Sequence, residues 1–204
     1  MAILEEKDYK IAAKVLQNED ILAFPTETVY GVGVVYDSEE AFNKLVALKK
    51  RPPNKPFALA CGSVEEASKY IVVDDRTKRL MAHFLPGEIT FLVKSKPDLP
   101  KWVTLGTDTI GIRVPANDFC VKLFNEVGKP CLLTSANMSG EPTLRFFEEV
   151  KAQFDGQVGA IVKGECTSLV PTTIVLVSDS GIKLVREGPI SFETIENYWK
   201  ENCK

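Results

Sequence analysis

The chain has 204 residues, 45% hydrophobic and 26% charged, a balance that fits one soluble globular domain and excludes a disordered or fibrous chain. A net charge of −3 argues against a surface built to coat nucleic acid. No apolar run is long enough to span a bilayer, and the mixed, acidic opening MAILEEKDYK is not a signal peptide, so a cytoplasmic location with no membrane partner is expected. Cys61, Cys120, Cys131, Cys166 and Cys203 are odd in number and show no C-x-x-C spacing, which points to reduced, mostly buried thiols and away from a disulfide framework or zinc ribbon. His83, the only histidine, lies in the helical stretch RTKRLMAHFL, where a partly buried surface position is expected. A Ser-His-Asp or Cys-His machine therefore has little to rest on.

Taken in chain order, Tyr9, Ala12, Val15 and Leu16 give helical spacing over roughly Glu5 to Asn18. Ile21 to Phe24 reads as a short buried strand that ends at Pro25, with Pro25-Thr26-Glu27-Thr28 as a loop and Gly31 and Gly33 allowing tight backbone just beyond. Ser38 caps a helix carrying Ala41, Phe42, Leu45 and Leu48, which must stop near Pro52-Pro53. Phe57–Cys61 reads as a strand, and Ser63 to Glu66 as a capping box opening another helix. A helix over Asp74–Leu85 precedes strands at Ile89–Val93 and Thr109–Val114. Asn117 starts a helix closed by Gly128, and Cys131–Thr134 is a short strand leading into Ser135-Ala136-Asn137. A helix over about Leu144–Phe154 follows, then strands at Val158–Val162, Thr173–Val177 and Ile182–Val185, and a last helix capped by Ser191. This alternation, without repeats or linkers, predicts an α/β protein with a mixed sheet and no second domain.

Three strand exits are rich in small polar residues: Pro25-Thr26-Glu27-Thr28, Thr134-Ser135-Ala136-Asn137 and Pro171-Thr172-Thr173. Hydroxyls and amides there are placed to hold a small polar ligand in a sheet crevice, although each group taken singly also reads as ordinary turn or cap chemistry. Ala41 to Val64 holds no Asp or Glu but contains Lys44, Lys49, Lys50, Arg51 and Lys55, a local cationic cluster that suits a compact anionic ligand. Lysines at a helix C-terminus also suit the helix dipole. Arg113 on an apolar strand should be paired or functional, and Arg186 adds a further anion ligand. With no Walker A and no G-x-G-x-x-G pattern, the residues themselves lead as far as an α/β domain with a polar, cationic cleft for a phosphate-bearing ligand.

At these same residues the sequence resembles the YrdC/TsaC family. Phe24 to Gly33 is similar to the family's PTETVYGLG element, with Val32 in place of leucine. Lys49-Lys50-Arg51-Pro52 with Lys55-Pro56 resembles K-x-R-P…KP, and Pro86-Gly87-Glu88-Ile89-Thr90 resembles PGPLT. Asp108 to Pro115 resembles DT-x-x-x-R-x-P, Ser135 to Gly140 resembles SAN-x-SG, and Arg186-Glu187-Gly188 resembles RPG. There are six ordered matches, and order and spacing agree over most of the chain, about residues 10 to 190.

The resemblance implies a YrdC-like single domain over 1–204, a twisted mixed sheet flanked by helices, in a short form without an appended domain. It implies synthesis of threonylcarbamoyl-AMP and pyrophosphate from L-threonine, bicarbonate and ATP, the first step of threonylcarbamoyladenosine modification of tRNA. Thr26, Arg113, Ser135 and Thr172 would hold threonine. Lys49, Arg51, Thr109, Asn137 and Arg186 would hold ATP, with Lys49 and Arg51 also serving catalysis. Mg2+ would be carried by the ATP phosphates and not by protein ligands, and the downstream partners would be the threonylcarbamoyl-transfer proteins and tRNA. Thr172 stands where the family has serine, and Glu88 and Glu187 where it has proline; the Thr172 and Glu187 segments are similar to YciO-like paralogues. A YciO-like protein and a nonenzymatic RNA-binding factor are the alternative readings.

Overall fold

The computed structural model describes residues 1–52 and 55–203. Along them run strand β1 (Ala2–Glu5), a 3-10 turn (Glu6–Asp8), helix α1 (Tyr9–Gln17), β2 (Leu22–Phe24), β3 (Gly31–Val35), α2 (Glu39–Lys49) and β4 (Ala58–Ala60). Then come α3 (Val64–Ser68), α4 (Asp75–Phe84), β5 (Ile89–Lys94), α5 (Lys101–Thr104), β6 (Thr109–Arg113), α6 (Asp118–Val127) and β7 (Cys131–Ser135). The chain closes with α7 (Phe147–Phe154), β8 (Ala160–Lys163), β9 (Thr173–Ser178), β10 (Gly181–Arg186) and α8 (Phe192–Asn202).

The strands join in one sheet in the order β1-β8-β2-β3-β7-β4-β6-β5-β9-β10. Pairing is parallel for β1/β8, β8/β2, β4/β6 and β5/β9 and antiparallel elsewhere, so the sheet is mixed, as the alternation of elements predicts. Two strands depart from the sequence reading. Ala2–Glu5 is an edge strand and the helix begins only at Tyr9, because Glu5 is drawn into the parallel ladder to Ala160–Lys163 and Glu6–Asp8 form a 3-10 turn. Gly31–Val35, where two glycines interrupt three valines, is an inner strand with every residue buried.

Helix boundaries follow local chemistry. Ser38 accepts a hydrogen bond from the Ala41 amide at 3.1 Å, and Glu39 and Glu40 sit at the positive end of α2. The helix ends where Lys50 turns left-handed at φ 47°, just before Pro52; Pro53 lies outside the described residues. Asn117 caps α6 from the Cys120 amide at 3.0 Å, and Gly128 closes it at φ 75°, a conformation that a side chain would disfavour. Ser63 accepts from the Glu66 amide, but Glu66 reaches past Ser63 to the Gly62 amide, so the expected capping box is displaced by one residue. α1 packs on α6, α4 on α8, and α2 on β3.

The N-cap of α2 matters to the site because the same helix delivers Lys49. Ser38→Ala is expected to destabilise the fold by about 1 kcal/mol, which lowers the melting temperature by about 2–4 °C in a chain of this size. Thermal unfolding checks it, and a shift below about 1 °C would mean that the cap contributes little.

Candidate active site

The register of the sheet puts a set of small and polar residues on one face. Cross-strand partners share a face, so the row Gly33, Leu133, Ala58, Gly111, Leu92, Leu176 lies together, as do Gly31 and Ser135, and Ala60 and Arg113. Thr90 and Arg186 join this face through Ile174. For Arg186 the reason is a register shift between Leu184 and Arg186, which sets Arg186 opposite Ile174. Without that extra residue Val185 would occupy the position, so the bulge re-aims a cation into the site. Gly111 allows close packing across the floor, since a Cβ there would lie 3.3 Å from Thr90 Cγ2 and from Leu92 Cδ2.

Of this face, Ala58, Thr90, Arg113, Leu133, Ser135, Ile174 and Arg186 line a cavity of about 190 Å³ together with Val29, Arg51, Lys55, Thr134, Pro171 and Thr172. It is smaller than a typical drug-sized pocket of about 300–1,000 Å³, so a nucleotide would have to extend past its mouth. No Asp or Glu lines it among the described residues, whereas Arg51, Lys55, Arg113 and Arg186 do. A larger cleft of about 1250 Å³ lies beyond the Thr26–Thr28 loop, lined by both signs of charge, including Glu6, Lys7, Arg145 and Glu165. Its mixed charge gives it no comparable anion selectivity.

Arg113 is held in place by the β2–β3 loop. Its Nη2 donates to Thr26 Oγ1 at 3.0 Å, Thr28 Oγ1 at 2.7 Å and Glu27 Oε1 at 3.0 Å. The loop itself is fixed from behind: the Glu27 carbonyl accepts from the Ser168 amide and the Thr167 hydroxyl, and the Tyr30 hydroxyl donates to the Gly164 carbonyl at 2.8 Å. Glu27 and Arg113 are both buried, and Glu27 Oε2 and Arg113 Nε have no hydrogen-bond partner among the described residues. An arginine restrained through one terminal nitrogen keeps the other free to take a planar oxyanion.

Lys49 is 1% exposed, which removes the reading of a lysine that merely decorates a helix end. Its Nζ donates to the Ser135 carbonyl, the Asn137 carbonyl and, at 3.0 Å, Asn137 Oδ1. Asn137 Oδ1 also accepts from the Ser135 hydroxyl at 2.6 Å, and its amide donates to the Glu141 carbonyl. Burial first, then the charges of Arg51 and Lys55, push the Lys49 ammonium down to about 7. Arg51 donates to the carbonyls of Lys55 and Pro56 and lies over the Phe57 ring at 4.4 Å. Lys44, in contrast, is engaged by Glu40 at 2.9 Å on the surface. The cationic cluster of the sequence is thus partly turned inward.

Arg51, Arg113, Ser135, Thr172 and Arg186 meet in the cavity; Thr26 adjoins it through Arg113, and Lys49 and Asn137 adjoin it through Ser135. Thr172 points its hydroxyl inward and does not merely open a strand, since it bonds Thr90 and Arg186. Thr109 stands apart: four residues along β6 from Arg113, or ~13 Å of strand, it lines a separate cleft with Asp108, Lys94 and Asp74. Sequence reasoning missed two residues, Glu27 and Thr90. The local signals are weak: Glu27 is a lone charge in a loop of small residues and Thr90 the polar member of the alternation Ile89, Thr90, Phe91, and neither pattern names a partner. His83 is exposed and not partly buried as expected, and its ring stacks on Tyr198 at 3.8 Å between ring centroids. All five cysteines are free, four of them buried. No helix of the described residues is long and apolar enough to cross a membrane.

Comparison with known proteins bears on this face. Residues 14–188 match the family model named for Sua5, YciO and YrdC and described as "Telomere recombination". The threonylcarbamoyl-AMP synthase of Bacillus subtilis (strain 168) is 35% identical over 188 residues, which is 91% of this chain and 54% of that protein. The threonylcarbamoyl-AMP synthase of Klebsiella pneumoniae is 38% identical over 146 residues, 70% of this chain and 77% of that one. The chain thus spans about half the length of the Bacillus relative. Among solved structures, P. abyssi Sua5 complexed with L-threonine superposes with a TM-score of 0.91 at 29% identity, over 97% of this chain and 60% of that one. E. coli YciO does so with a TM-score of 0.86 at 27% identity, over 95% and 97%.

Proposed function

The chain belongs to the Sua5/YciO/YrdC family, and from that membership and its cavity we propose that it makes threonylcarbamoyl-AMP from L-threonine, bicarbonate and ATP. The observation that carries the reading is the meeting of Arg51, Arg113, Ser135, Thr172 and Arg186 in one cavity that no carboxylate lines among the described residues, with Lys49 at its side. The chemistry is nucleotidyl transfer. The threonine amine adds to the carbon of bicarbonate, water leaves, and the resulting N-carboxylate attacks the α-phosphorus of ATP, breaking the bond to pyrophosphate. Nothing in this sequence requires a covalent enzyme intermediate; the side chains align the reactants and neutralise charge as it moves onto the leaving phosphates.

In this reading Arg113 takes the threonine carboxylate, with Thr26, Ser135 and Thr172 completing the amino-acid site. Lys49, Arg51, Asn137 and Arg186 serve the nucleotide, and Thr109 is left outside the assignment because it faces another cleft. The donors around the cavity are cationic or hydroxylic, which suits phosphate oxygens and not a bare cation. Mg2+ would therefore enter on the triphosphate, where it neutralises charge, as its preference for phosphate and water ligands favours. The product would pass to proteins that transfer the threonylcarbamoyl group to tRNA. The likeness to E. coli YciO along nearly the whole of both chains supports a second reading, a paralogue acting on another acceptor. The nonenzymatic RNA-binding alternative draws less support, because Lys44 is paired on the surface and Lys49 is buried.

Incubation with ATP, L-threonine, Mg2+ and labelled bicarbonate separates these. Label in an adenylate, with pyrophosphate released in step, is the expected result. Omission of threonine should abolish both. Adenylate formation that does not depend on threonine would favour the YciO-like reading, and affinity for RNA that falls steeply with salt, with no adenylate formed, would favour the RNA-binding one.

A further inference from the structure

Ile89, Phe91 and Val93 turn one face of β5 into the core, which leaves Thr90 on the cavity face, where it is 5% exposed. Phe91 pairs with Ile112, so Thr90, one residue back on β5, falls opposite Arg113, one residue on along β6. The Thr90 methyl rests over Gly111. Its hydroxyl lies 2.9 Å from that of Thr172, and Arg186 Nη2 donates to Thr172 Oγ1 at 3.3 Å while also holding the Thr172 carbonyl at 2.7 Å.

The protons of this chain can be counted. A guanidinium only donates, so Thr172 Oγ1 accepts from Arg186. Two hydroxyls that share one hydrogen bond use one of their two protons on it. The other has no acceptor among the described residues, and both residues line the cavity. A hydroxyl that already accepts from a cation is polarised to donate, so Thr172 gives its proton to Thr90, and the unused proton is that of Thr90. A buried donor without an acceptor is unfavourable, and here it sits between two guanidinium groups with no carboxylate lining the cavity among the described residues.

We propose that Thr90 is a substrate-binding residue, and that the chain Arg186–Thr172–Thr90 presents one polarised donor to an anionic oxygen of the ligand anchored by Arg113. The inference rests on the reading of that ligand as L-threonine. Arg113 then takes the carboxylate from one side and Thr90 from the neighbouring strand, and Arg186 acts on the amino acid through two hydroxyls as well as on the nucleotide.

The test is calorimetric titration of the full chain with L-threonine, and separately with ATP. Thr90→Val keeps the shape and deletes the hydroxyl; it should weaken L-threonine binding about tenfold, or about 1.4 kcal/mol, and leave ATP affinity within about twofold. Thr90→Ser should restore threonine affinity to within about threefold of wild type, which a purely structural role for the valine-like shape would not produce. If Thr90→Val fails to fold, Thr90→Ala puts the same question. Unchanged threonine affinity in a folded Thr90→Val protein overturns the proposal, as does a loss seen only in Thr172→Val, which would put the free proton on Thr172. A wild-type protein that binds no L-threonine overturns the proposed function itself, an outcome distinct from either of these.

Discussion

Arg113→Ala is expected to lower affinity for L-threonine by about a hundredfold and to destabilise the fold by roughly 3–5 kcal/mol. The first figure reflects two charged hydrogen bonds to a carboxylate, each worth about 1.5 kcal/mol or more. The second has a different origin. Arg113 is the ion-pair partner of Glu27, at 3.0 Å with both side chains about nine-tenths buried, and breaking such a pair strands a charge in the interior. The two effects can be separated. In Arg113→Ala/Glu27→Gln the stranded charge is gone, so thermal stability should largely return while threonine affinity stays low. Calorimetry that gives wild-type threonine affinity for the folded double variant would remove Arg113 from the amino-acid site and leave it a structural partner of Glu27.

That coupling shows which parts of the site were legible in the sequence. Arg113 stood out because an arginine on an apolar strand needs a partner, and the hydroxyls at strand exits stood out because polar residues gather there. The partner itself, Glu27, was hidden: nothing in a loop of small residues tells which of its groups will fold back beneath a side chain 86 positions away. Thr90 was hidden for a related reason. Its role depends on register, which sets it opposite Arg113, and on a bulge that swings Arg186 to the same face, and neither is encoded in a local pattern. Thr109 was placed with ATP by the resemblance alone; a strand is extended, and four residues along it from Arg113, Thr109 lines another cleft.

The fold divides along similar lines. Helices with strong caps, those begun by Ser38, Asn117 and Ser191, appear where their local chemistry places them. Ala2–Glu5 and Gly31–Val35 are strands only because partners recruit them, the first at the parallel edge beside β8 and the second between β2 and β7. Phe147 opens α7 three residues later than the spacing from Leu144 implies, because the Arg145 and Phe146 amides are capped by Glu149.

Lys49→Met should reduce kcat/KM for ATP by about 100- to 1,000-fold, the range seen when one preorganised group facing developing charge is removed. The pH dependence gives the sharper test. In the free protein the Lys49 ammonium is held down to about 7, by burial above all and then by Arg51 and Lys55, and no carboxylate bonds to it among the described residues. If Lys49 meets the triphosphate as proposed, raising the pH through 7 discharges that cation, and kcat/KM for ATP should fall on the alkaline side of neutrality. Bound phosphate charges favour the ammonium, so kcat should persist to higher pH than kcat/KM. Lys49→Arg keeps its charge throughout and should lose the alkaline fall whatever its absolute rate. Stability moves in the opposite sense. The folded protein binds fewer protons than the unfolded chain between about pH 7 and the ordinary lysine value of about 10.4, so wild-type stability gains with pH across that window and the cost of the buried charge is fully present below it. Lys49→Met lacks this contribution, and its melting temperature relative to wild type should be most favourable below pH 7 and decline toward pH 10. A wild-type kcat/KM that stays flat from pH 6 to 9, with a stability difference equally flat, would mean that Lys49 remains charged throughout and that its three carbonyl partners outweigh its burial.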